Sequence, residues 1–479
     1  MHLIYASAER FLVVAFVSGV LVATPASAGD VSKPLNVLLI IADDMNCQLG
    51  CYGVTVAKTP NIDRLAARGL RFDRAFCNYP VCNASRTSFL SGRYPESTGV
   101  LNNNTDPRVR LGPDFQFLPE YFRAQGYFTA GCGKIAHGGF NDALSWDYYS
   151  EPARGIDADG EESIPKKKSR NGESAKSVAN DLTTFPFEWE ATPNKDAEEA
   201  DGQVARRLLR FLSEHEERPF FIAAGFHKPH VPHTAPRKYF DLHDAGAMPV
   251  AVEPTDFESD IPPIALKPGP KYLPDLPPEV RLDIVQHYFA ATSFMDAQVG
   301  LLLDELDRLE LWRSTIVIFV GDHGWHLGEH GGMYAKMSLM DESARAPLIV
   351  AAPGMPEGRS TSAIVEFVDI YPTLIEAAGL APPKGLQGES FRAVLKAPKL
   401  PGRDTAYTIV LRGPTRTGRA LRSRAFTYLE WPDGSQQLYD AVNDPHEHAN
   451  LVKDARYAGT LAEMKASLAE RRAEIAQVP

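Results

Sequence analysis

The stretch from Cys82 to Arg93 carries the most chemistry of any segment in this chain of 479 residues. Its sequence is Cys-Asn-Ala-Ser-Arg-Thr-Ser-Phe-Leu-Ser-Gly-Arg, which places a thiol, hydroxyls and two guanidinium groups close together. A thiol can act as a nucleophile, bind a metal or be oxidised, and an adjacent arginine can neutralise a negative charge. Each of these groups alone occurs in many kinds of functional site. The spacing nevertheless makes position 82 the first candidate for a reacting group.

Two pairs of candidate metal ligands each follow an apolar run. Asp43-Asp44 comes directly after residues 36–42, and Asp322-His323 comes after residues 315–320. Because adjacent carboxylates repel each other, a stable pair requires a cation or protonation. Three carboxylates suit a hard divalent ion, Ca²⁺ or Mg²⁺, better than zinc. The alternative is that each aspartate caps a helix, which is common where a strand leads into a helix.

The apolar runs predict the elements that must position these groups. Four runs, at residues 36–42, 127–132, 219–225 and 315–320, are followed by polar residues. Continuous apolar strands separated by helices predict an α/β fold, with a large, mostly parallel sheet flanked by helices. Residues 288–306 have the spacing of one such helix. Since ligands of open α/β sheets bind at the carboxyl ends of the strands, the site is expected there.

Three segments are predicted along the chain. Residues 1–28 have the plan of a secretory signal peptide, with an apolar core at 11–22 and Ala26-Ser27-Ala28 before the expected cleavage. A retained anchor is the alternative, although the apolar core is too short to span a bilayer. Residues 34–395 are predicted to form the catalytic domain, and residues 396–479 a smaller C-terminal α+β subdomain. We therefore expect a secreted or periplasmic protein without a membrane span after cleavage.

Composition limits the classes of partner. The chain has 50 basic and 61 acidic residues, a formal net charge of −11, and no basic stripe that would favour nucleic acid. Its five cysteines are too few for a disulfide scaffold. The lysine-containing segment within residues 140–202 is either a solvated insertion or a lid that contacts an anionic substrate.

Taken together, the motifs resemble the type I, formylglycine-dependent sulfatases of the alkaline-phosphatase-like superfamily, and within them the iduronate-2-sulfatase branch. The stretches that carry the resemblance are Ala42–Met45, Cys82–Arg93, Gly133–His137, Gly225–His230, Asp322–Gly331 and Ala335-Lys336. In that family a formylglycine-generating enzyme oxidises the cysteine to an aldehyde, whose hydrate attacks sulfate esters. The family often has proline where this chain has Ala84, and alanine is also accepted.

The resemblance implies a Ca²⁺ site and a cysteine-derived nucleophile. Its metal ligands are Asp43, Asp44, Asp322, His323 and Cys82, the last after conversion to formylglycine. The ion would polarise a sulfate oxygen and help to ionise the aldehyde hydrate.

The resemblance also implies roles for three cations and two histidines. Arg86 and Lys134 neutralise charge near the hydrate, and Lys336 holds sulfate oxygens. His230 protonates the departing sugar oxygen, and His137 takes a proton from the second hydroxyl of the hydrate. Viewed singly, His137 could be an ordinary core or surface histidine and Lys336 a solvated lysine.

The sequence therefore predicts an exported, Ca²⁺-dependent sulfatase that acts on a sulfated saccharide, with 2-O-sulfated iduronate or a related uronic acid as the expected substrate. One alternative is a sulfatase for another sulfated polysaccharide, such as an algal one. A second is a phosphodiester or phosphonate ester hydrolase with the same nucleophile. A third is a sulfate-binding protein in which Cys82 stays a thiol.

Overall fold

The computed structural model describes residues 34–141, 143–152, 189–215, 218–254, 261–266, 272–413 and 416–477. The predicted signal segment, residues 1–28, and much of the predicted insertion at 140–202 lie outside these ranges. Within them, every helix is too short or too polar to cross a bilayer.

The described ranges contain strands and helices that alternate over much of the chain. The strands are β1 (Asn36–Asp43), β2 (Leu70–Phe76), β3 (Phe128–Gly133), β4 (Tyr148–Ser150), β5 (Trp189–Thr192), β6 (Phe220–Pro229), β7 (His233–Pro236), β8 (Thr315–Gly321), β9 (Leu348–Ala351), β10 (Arg359–Glu366), β11 (Ala406–Leu411), β12 (Thr417–Arg422), β13 (Phe426–Glu430) and β14 (Gln436–Asp440). The helices are α1 (Pro60–Arg68), α2 (Cys82–Ser91), α3 (Pro95–Thr98), α4 (Pro107–Leu111), α5 (Leu118–Ala124), α6 (Ala200–Glu214), α7 (Arg237–Phe240), α8 (Pro263–Leu266), α9 (Pro278–Arg308), α10 (Glu329–Gly332), α11 (Asp341–Ala344), α12 (Ile370–Ala377), α13 (Arg392–Lys396) and α14 (Ala458–Ala476).

The main sheet has eight strands in the order β10-β2-β9-β8-β1-β6-β3-β4. Its neighbouring pairs are parallel except for those made by β9, which is antiparallel to both β2 and β8. The predicted mostly parallel sheet is therefore confirmed, with one reversed strand. A run of four residues such as Leu348–Ala351 carries no sign of its direction, so pattern alone could not predict the reversal.

Helices cover both faces of this sheet, as β1 illustrates. Its side chains alternate in direction, so Val37 and Leu39 lie in a core shared with α2, α5 and α12. Leu38 and Ile40 lie in a second core, shared with α1, α6 and α9. All of β1 is buried, and each large apolar side chain contributes about 1.5–3 kcal/mol on burial. The continuous apolar run at residues 36–42 is thus explained by burial on both faces.

A second, antiparallel sheet of four strands follows in the order β11-β12-β13-β14. Its buried side chains, such as Tyr407 and Leu421, share a core with Met464 and Leu468 of α14. This arrangement confirms the smaller C-terminal α+β subdomain. The boundary between residues 395 and 396 stays a prediction.

Strands β8, β1, β6 and β3 are direct neighbours in the main sheet and run in the same direction. Their carboxyl ends therefore meet at one edge. Asp322, Asp43, His230 and Lys134 each lie at or just beyond one of these ends. The fold thus places residues that are up to 279 positions apart in sequence, from Asp43 to Asp322, at a single edge, where ligands of α/β sheets bind.

Candidate active site

Cys82 begins α2, a helix whose ten residues are all buried. Gly92 ends the helix with a φ of 65°, a left-handed conformation that favours glycine. The amino terminus of a helix carries partial positive charge from its unpaired N–H groups, which favours an anion there. Cys82 has no exposed surface, and it is a free thiol like the other four cysteines. Its position is therefore one in which a negatively charged group is stabilised.

Lysine and histidine nitrogen atoms contact the Cys82 thiol. Lys336 Nζ lies 2.9 Å from Sγ, and His323 Nε2 lies 3.3 Å from it. Burial and the Asp43 carboxylate raise the pKa of Cys82, but Lys336, Lys134 and His323 together hold that pKa well below its usual value. The surroundings of residue 82 therefore favour a negatively charged group bonded to its Cβ atom.

Three buried carboxylates surround this thiol. Asp43, Asp44 and Asp322 are at most 1% exposed. Asp44 has a φ of 58°, and its backbone N–H donates to Asp322 Oδ1 over 3.1 Å. Aspartate is among the few residues that tolerate this left-handed conformation, which turns the Asp44 side chain back towards the site.

The ligand atoms of this cluster have the spacing of a cation site. One donor atom from each of Asp43, Cys82, Asp322 and His323 lies within 4.8 Å of all the others. Ligands on opposite sides of a Ca²⁺ ion, each about 2.4 Å away, would be about 4.8 Å apart. Asp43 Oδ1 and Asp44 Oδ2 are buried and lack a hydrogen-bond partner among the described residues. Buried carboxylate oxygens that lack a hydrogen-bond partner are suitable ligands for a hard divalent ion.

Three fixed cations lie beside the carboxylates. Arg86 Nε donates to Asp322 Oδ2 over 2.8 Å, and its Nη2 lies 3.5 Å from Asp43 Oδ1. Lys336 Nζ donates to Asp44 Oδ1 over 2.5 Å, and Lys134 Nζ donates to Asp43 Oδ2. Because three carboxylates face three cations, a bound divalent ion would leave the site net positive. Such a site attracts an anionic substrate.

Local backbone geometry places Lys134. Gly133, at the end of β3, has a φ of 78°, and a side chain there would collide with the backbone oxygen of Gly225 in β6. Glycine at both positions lets the two strands approach closely enough for Lys134 N to donate to Gly225 O over 2.7 Å. The turn is fixed further by Arg86, whose Nη1 donates to Ile135 O over 3.2 Å.

His230 faces the cluster from the end of β6. Its Nδ1 donates to Val231 O over 2.6 Å, which leaves Nε2 directed at Asp44, 3.7 Å from Oδ2. Burial lowers the pKa of His230, but Asp44 and Asp43 outweigh it, so the pKa lies above its ordinary value. A protonated Nε2 at this position can donate a proton. The neighbouring His227 is more exposed, at 41% of its side chain against 23%.

His137 is the one predicted site residue that the structure does not join to the others. It lies beyond the turn after β3, and its Nδ1 is buried without a hydrogen-bond partner in the described ranges. Among described residues, no hydrogen bond or ion pair links it to Cys82 or to the carboxylates. Its predicted role as a base stays a prediction, whereas the other nine residues are gathered at one edge.

Tyr288 of α9 is a positioning residue that the sequence did not reveal. Its hydroxyl donates to Asp44 O over 2.9 Å and accepts from Asn46 N over 2.9 Å. It therefore holds both ends of the turn that carries Asp44. In the sequence Tyr288 is only one more large residue at helical spacing, and nothing there distinguishes a bonded hydroxyl from a phenyl ring.

Substitution of Tyr288 by phenylalanine is expected to lower the free energy of unfolding by about 1–3 kcal/mol, since it leaves a buried donor and acceptor unpaired. Chemical denaturation measures this change. Tyr428→Phe is the matched control, because the Tyr428 hydroxyl is buried without a partner among described residues. Equal effects of the two substitutions would contradict the role given to Tyr288.

Comparison with known proteins identifies the family. The sulfatase family model matches residues 35–380, and the model for the C-terminal region of N-sulphoglucosamine sulphohydrolase matches residues 328–474. A sulfatase of Formosa agariphila is 32% identical over 465 residues, covering 93% of this chain and 88% of the relative. Iduronate 2-sulfatase of Homo sapiens is 33% identical over 414 residues, covering 77% of this chain and 73% of the relative.

A solved structure extends the comparison to the fold. The phosphonate monoester hydrolase of Agrobacterium radiobacter has a TM-score of 0.75 at 24% identity, covering 92% of this chain and 96% of that one. At this identity the likeness concerns the fold alone. The match over residues 35–380 and the relatives above 30% identity are decisive: the chain belongs to the sulfatase family.

Proposed function

We propose that this sulfatase is Ca²⁺-dependent, that Cys82 is converted to formylglycine, and that the substrate carries 2-O-sulfated iduronate or a related uronic acid. The observation that carries the proposal is the burial of Cys82 among Asp43, Asp322, His323 and Lys336. The choice of sugar is supported by the 33% identity to an iduronate 2-sulfatase.

Conversion of Cys82 changes the chemistry of the site. The aldehyde hydrate supplies one hydroxyl to attack sulfur and a second hydroxyl that allows sulfate to be expelled afterwards. A thiol lacks this second group. Because Cys82 has no exposed surface, a formylglycine-generating enzyme has to act before the chain folds. Converted protein is therefore obtained by co-expression with that enzyme and not by treatment of folded protein.

The carboxylates and His323 would hold the metal ion. Asp43, Asp44 and Asp322 supply the oxygen donors that Ca²⁺ prefers, and His323 supplies a nitrogen. When bound, Ca²⁺ acts as a Lewis acid towards a sulfate oxygen. Asp322 also fixes Arg86, so that one carboxylate orients both the ion and a cation beside it.

Arg86, Lys134 and Lys336 stabilise the charge of the sulfate group. Lys336 contacts Sγ of Cys82, so a group bonded at that position lies within reach of its ammonium. The Lys336 side chain is 13% exposed, and each preorganised donor in such a site contributes roughly 10²–10³-fold to the rate. Three fixed cations therefore bind a sulfate without reorganisation.

His230 donates a proton from Nε2 to the departing sugar oxygen. Substitution of His230 by alanine is expected to lower kcat by roughly 10²–10⁴-fold on a sugar sulfate, whose alkoxide is a poor leaving group. On 4-nitrophenyl sulfate the loss should be much smaller, because this leaving group departs without a proton. Steady-state kinetics on both substrates measure the difference.

His227→Ala is the control for this comparison, since His227 lies 4.9 Å from His230 between ring centroids and is more exposed. We expect it to affect the two substrates similarly. If His230→Ala lowers the rates on both substrates by the same factor, His230 is not the acid.

We assign His137 as the base that takes a proton from the second hydroxyl of the hydrate. The support is its position three residues after Lys134 and its buried, unpartnered Nδ1 among described residues. His137→Ala is expected to slow sulfate release, so that the sulfated enzyme accumulates during turnover. Intact-protein mass spectrometry after rapid acid quenching detects that species.

A substrate panel tests the choice of sugar. Converted, Ca²⁺-loaded enzyme is assayed on disaccharides with 2-O-sulfated uronic acid, on their 6-O- and N-sulfated isomers, on sulfated algal oligosaccharides and on a phosphonate monoester. The proposal predicts the highest kcat/KM on the 2-O-sulfated uronic acid. A preference for the algal substrate would indicate a sulfatase for another polysaccharide, and a preference for the phosphonate would indicate a phosphonate ester hydrolase. Binding without turnover would indicate a sulfate-binding protein.

We also propose that residues 1–28 direct export and are removed. The support is the apolar core at 11–22 and the small residues before Gly29. Amino-terminal sequencing of protein from the producing cell should begin at Gly29. A mature chain that retains residue 1 would contradict the cleavage.

A further inference from the structure

We propose a second metal site, separate from the Asp43 cluster, in which His326, His330 and Glu342 bind a zinc-class divalent ion. One ligand atom from each of the three residues lies within 4.8 Å of the other two. His330 Nε2 lies 3.0 Å from Glu342 Oε2, and the ring centroids of His326 and His330 are 5.6 Å apart. Two imidazoles and a carboxylate form a recognised set of zinc ligands.

The ring of His326 has a nitrogen that no described residue satisfies. His326 has no exposed surface, and its Nδ1 has no hydrogen-bond partner in the described part of the chain. That atom lies 3.8 Å from Glu329 Oε2, while Nε2 of the same ring lies 2.8 Å from Ser338 Oγ. A buried imidazole nitrogen without a partner is costly. A metal ion would satisfy it.

The charge around the site also favours a cation. Glu342 and Glu329 are both less than one-fifth exposed, and in the described ranges their ion pairs are made with histidines. Glu447 is 2% exposed, and its Oε1 has no hydrogen-bond partner among described residues. Carboxylates buried beside imidazoles require a positive charge, from either a proton or a metal.

The sequence His326-Leu327-Gly328-Glu329-His330 has the spacing H-x-x-E-H, which on a helix is typical of a class of zinc hydrolases. Here the backbone is not a regular helix, because Gly328, His330 and Gly331 have φ values of 106°, 53° and 76°. The loop nevertheless brings both imidazoles together, and Glu342 of α11 supplies the carboxylate. The motif therefore has zinc ligands without the helix that positions a catalytic zinc.

The burial of the ligands indicates a structural role. His326 and His330 have no exposed surface, which leaves no approach for a substrate. The bound ion would join the loop after β8 to α11, and the residues between them include Lys336. His326 N also donates to Ala335 O over 2.9 Å, directly beside Lys336. We infer that the ion fixes the segment that presents Lys336 to the sulfate site.

Zinc binding tests the proposal. Purified wild-type protein is loaded with Zn²⁺ in the presence of excess Ca²⁺, desalted and analysed by plasma mass spectrometry. We expect one zinc per chain that excess Ca²⁺ does not displace, and a Tm a few degrees above that of the zinc-free protein. Cobalt in place of zinc should give the intense visible absorption of a tetrahedral site.

Four variants locate the ion. His326→Asn and Glu342→Gln should each lose the zinc and the rise in Tm. His446→Gln should keep both, because His446 lies 4.0 Å from Glu342 Oε1 but outside the group of mutually close ligand atoms. Asp322→Asn should also retain zinc, which separates this site from the calcium site and from the proposed function.

Zinc that excess Ca²⁺ displaces from the wild type, or zinc that His326→Asn and Glu342→Gln retain, would overturn the proposal. Should both variants fail to fold, the calcium competition and the cobalt spectrum of the wild-type protein decide the question alone.

Discussion

Replacement of Cys82 by alanine is expected to lower kcat/KM on a sulfated substrate by on the order of 10⁵-fold, because it removes the proposed precursor of the nucleophile. The fold should persist, since the change deletes a single atom beyond Cβ in a helix held by nine other buried residues. Kinetics with protein from a co-expression host measure the first effect, and thermal unfolding measures the second.

Cys51→Ala is the matched control for this prediction. Cys51 is also a free thiol, and it is partly buried outside the cluster. It should keep the activity of the wild-type protein. Turnover by Cys82→Ala at more than a few per cent of the wild-type rate would show that position 82 does not supply the nucleophile.

Replacement of Asp322 by asparagine is expected to abolish calcium binding and to lower kcat/KM by at least about 10³-fold, since it removes a proposed metal ligand and a fixed partner of Arg86. It should also destabilise the protein by about 3–5 kcal/mol, because Arg86 is 1% exposed and would lose its 2.8 Å ion pair. Isothermal titration with Ca²⁺ and denaturant unfolding measure the two effects.

Asp304→Asn is the control, as the Asp304 side chain is 64% exposed and its pair with Arg64 lies on the surface. Its effect on stability should stay below about 1 kcal/mol. Ca²⁺ binding by Asp322→Asn with wild-type affinity would remove Asp322 from the ligand set. Equal stability of the two variants would contradict the structural part of the prediction.

The sequence predicted that Asp43 and Asp322 lie close together, because each follows a long apolar strand. Residues 37–42 and 316–320 are uniformly apolar, so their burial within a sheet follows from pattern alone. Adjacent parallel strands then bring Asp43 and Asp322 together whatever the intervening chain does. The chemical role of each residue came from the family resemblance, because the spacing of residues in the sequence does not indicate a role.

Other features depend on contacts that leave no pattern. The reversal of β9 depends on the path of the chain around it, and a run of four apolar residues is the same in either direction. Tyr288 acts through its hydroxyl on the backbone of Asp44, a contact 244 residues away in sequence. The spacing of His326 and His330 would predict a helical metal motif, yet glycines bend that segment into a loop. In each case tertiary packing decides what local sequence leaves open.

Mass spectrometry of the peptide that contains Cys82, from protein made in the native producer, tests the central claim most directly. Formylglycine formation removes one sulfur and two hydrogens from the residue and adds one oxygen, and the aldehyde reacts with hydrazide reagents. We predict that active protein contains this lighter, hydrazide-reactive peptide in proportion to its turnover rate. Fully active protein in which residue 82 is wholly an unmodified thiol would contradict the mechanism proposed for this enzyme.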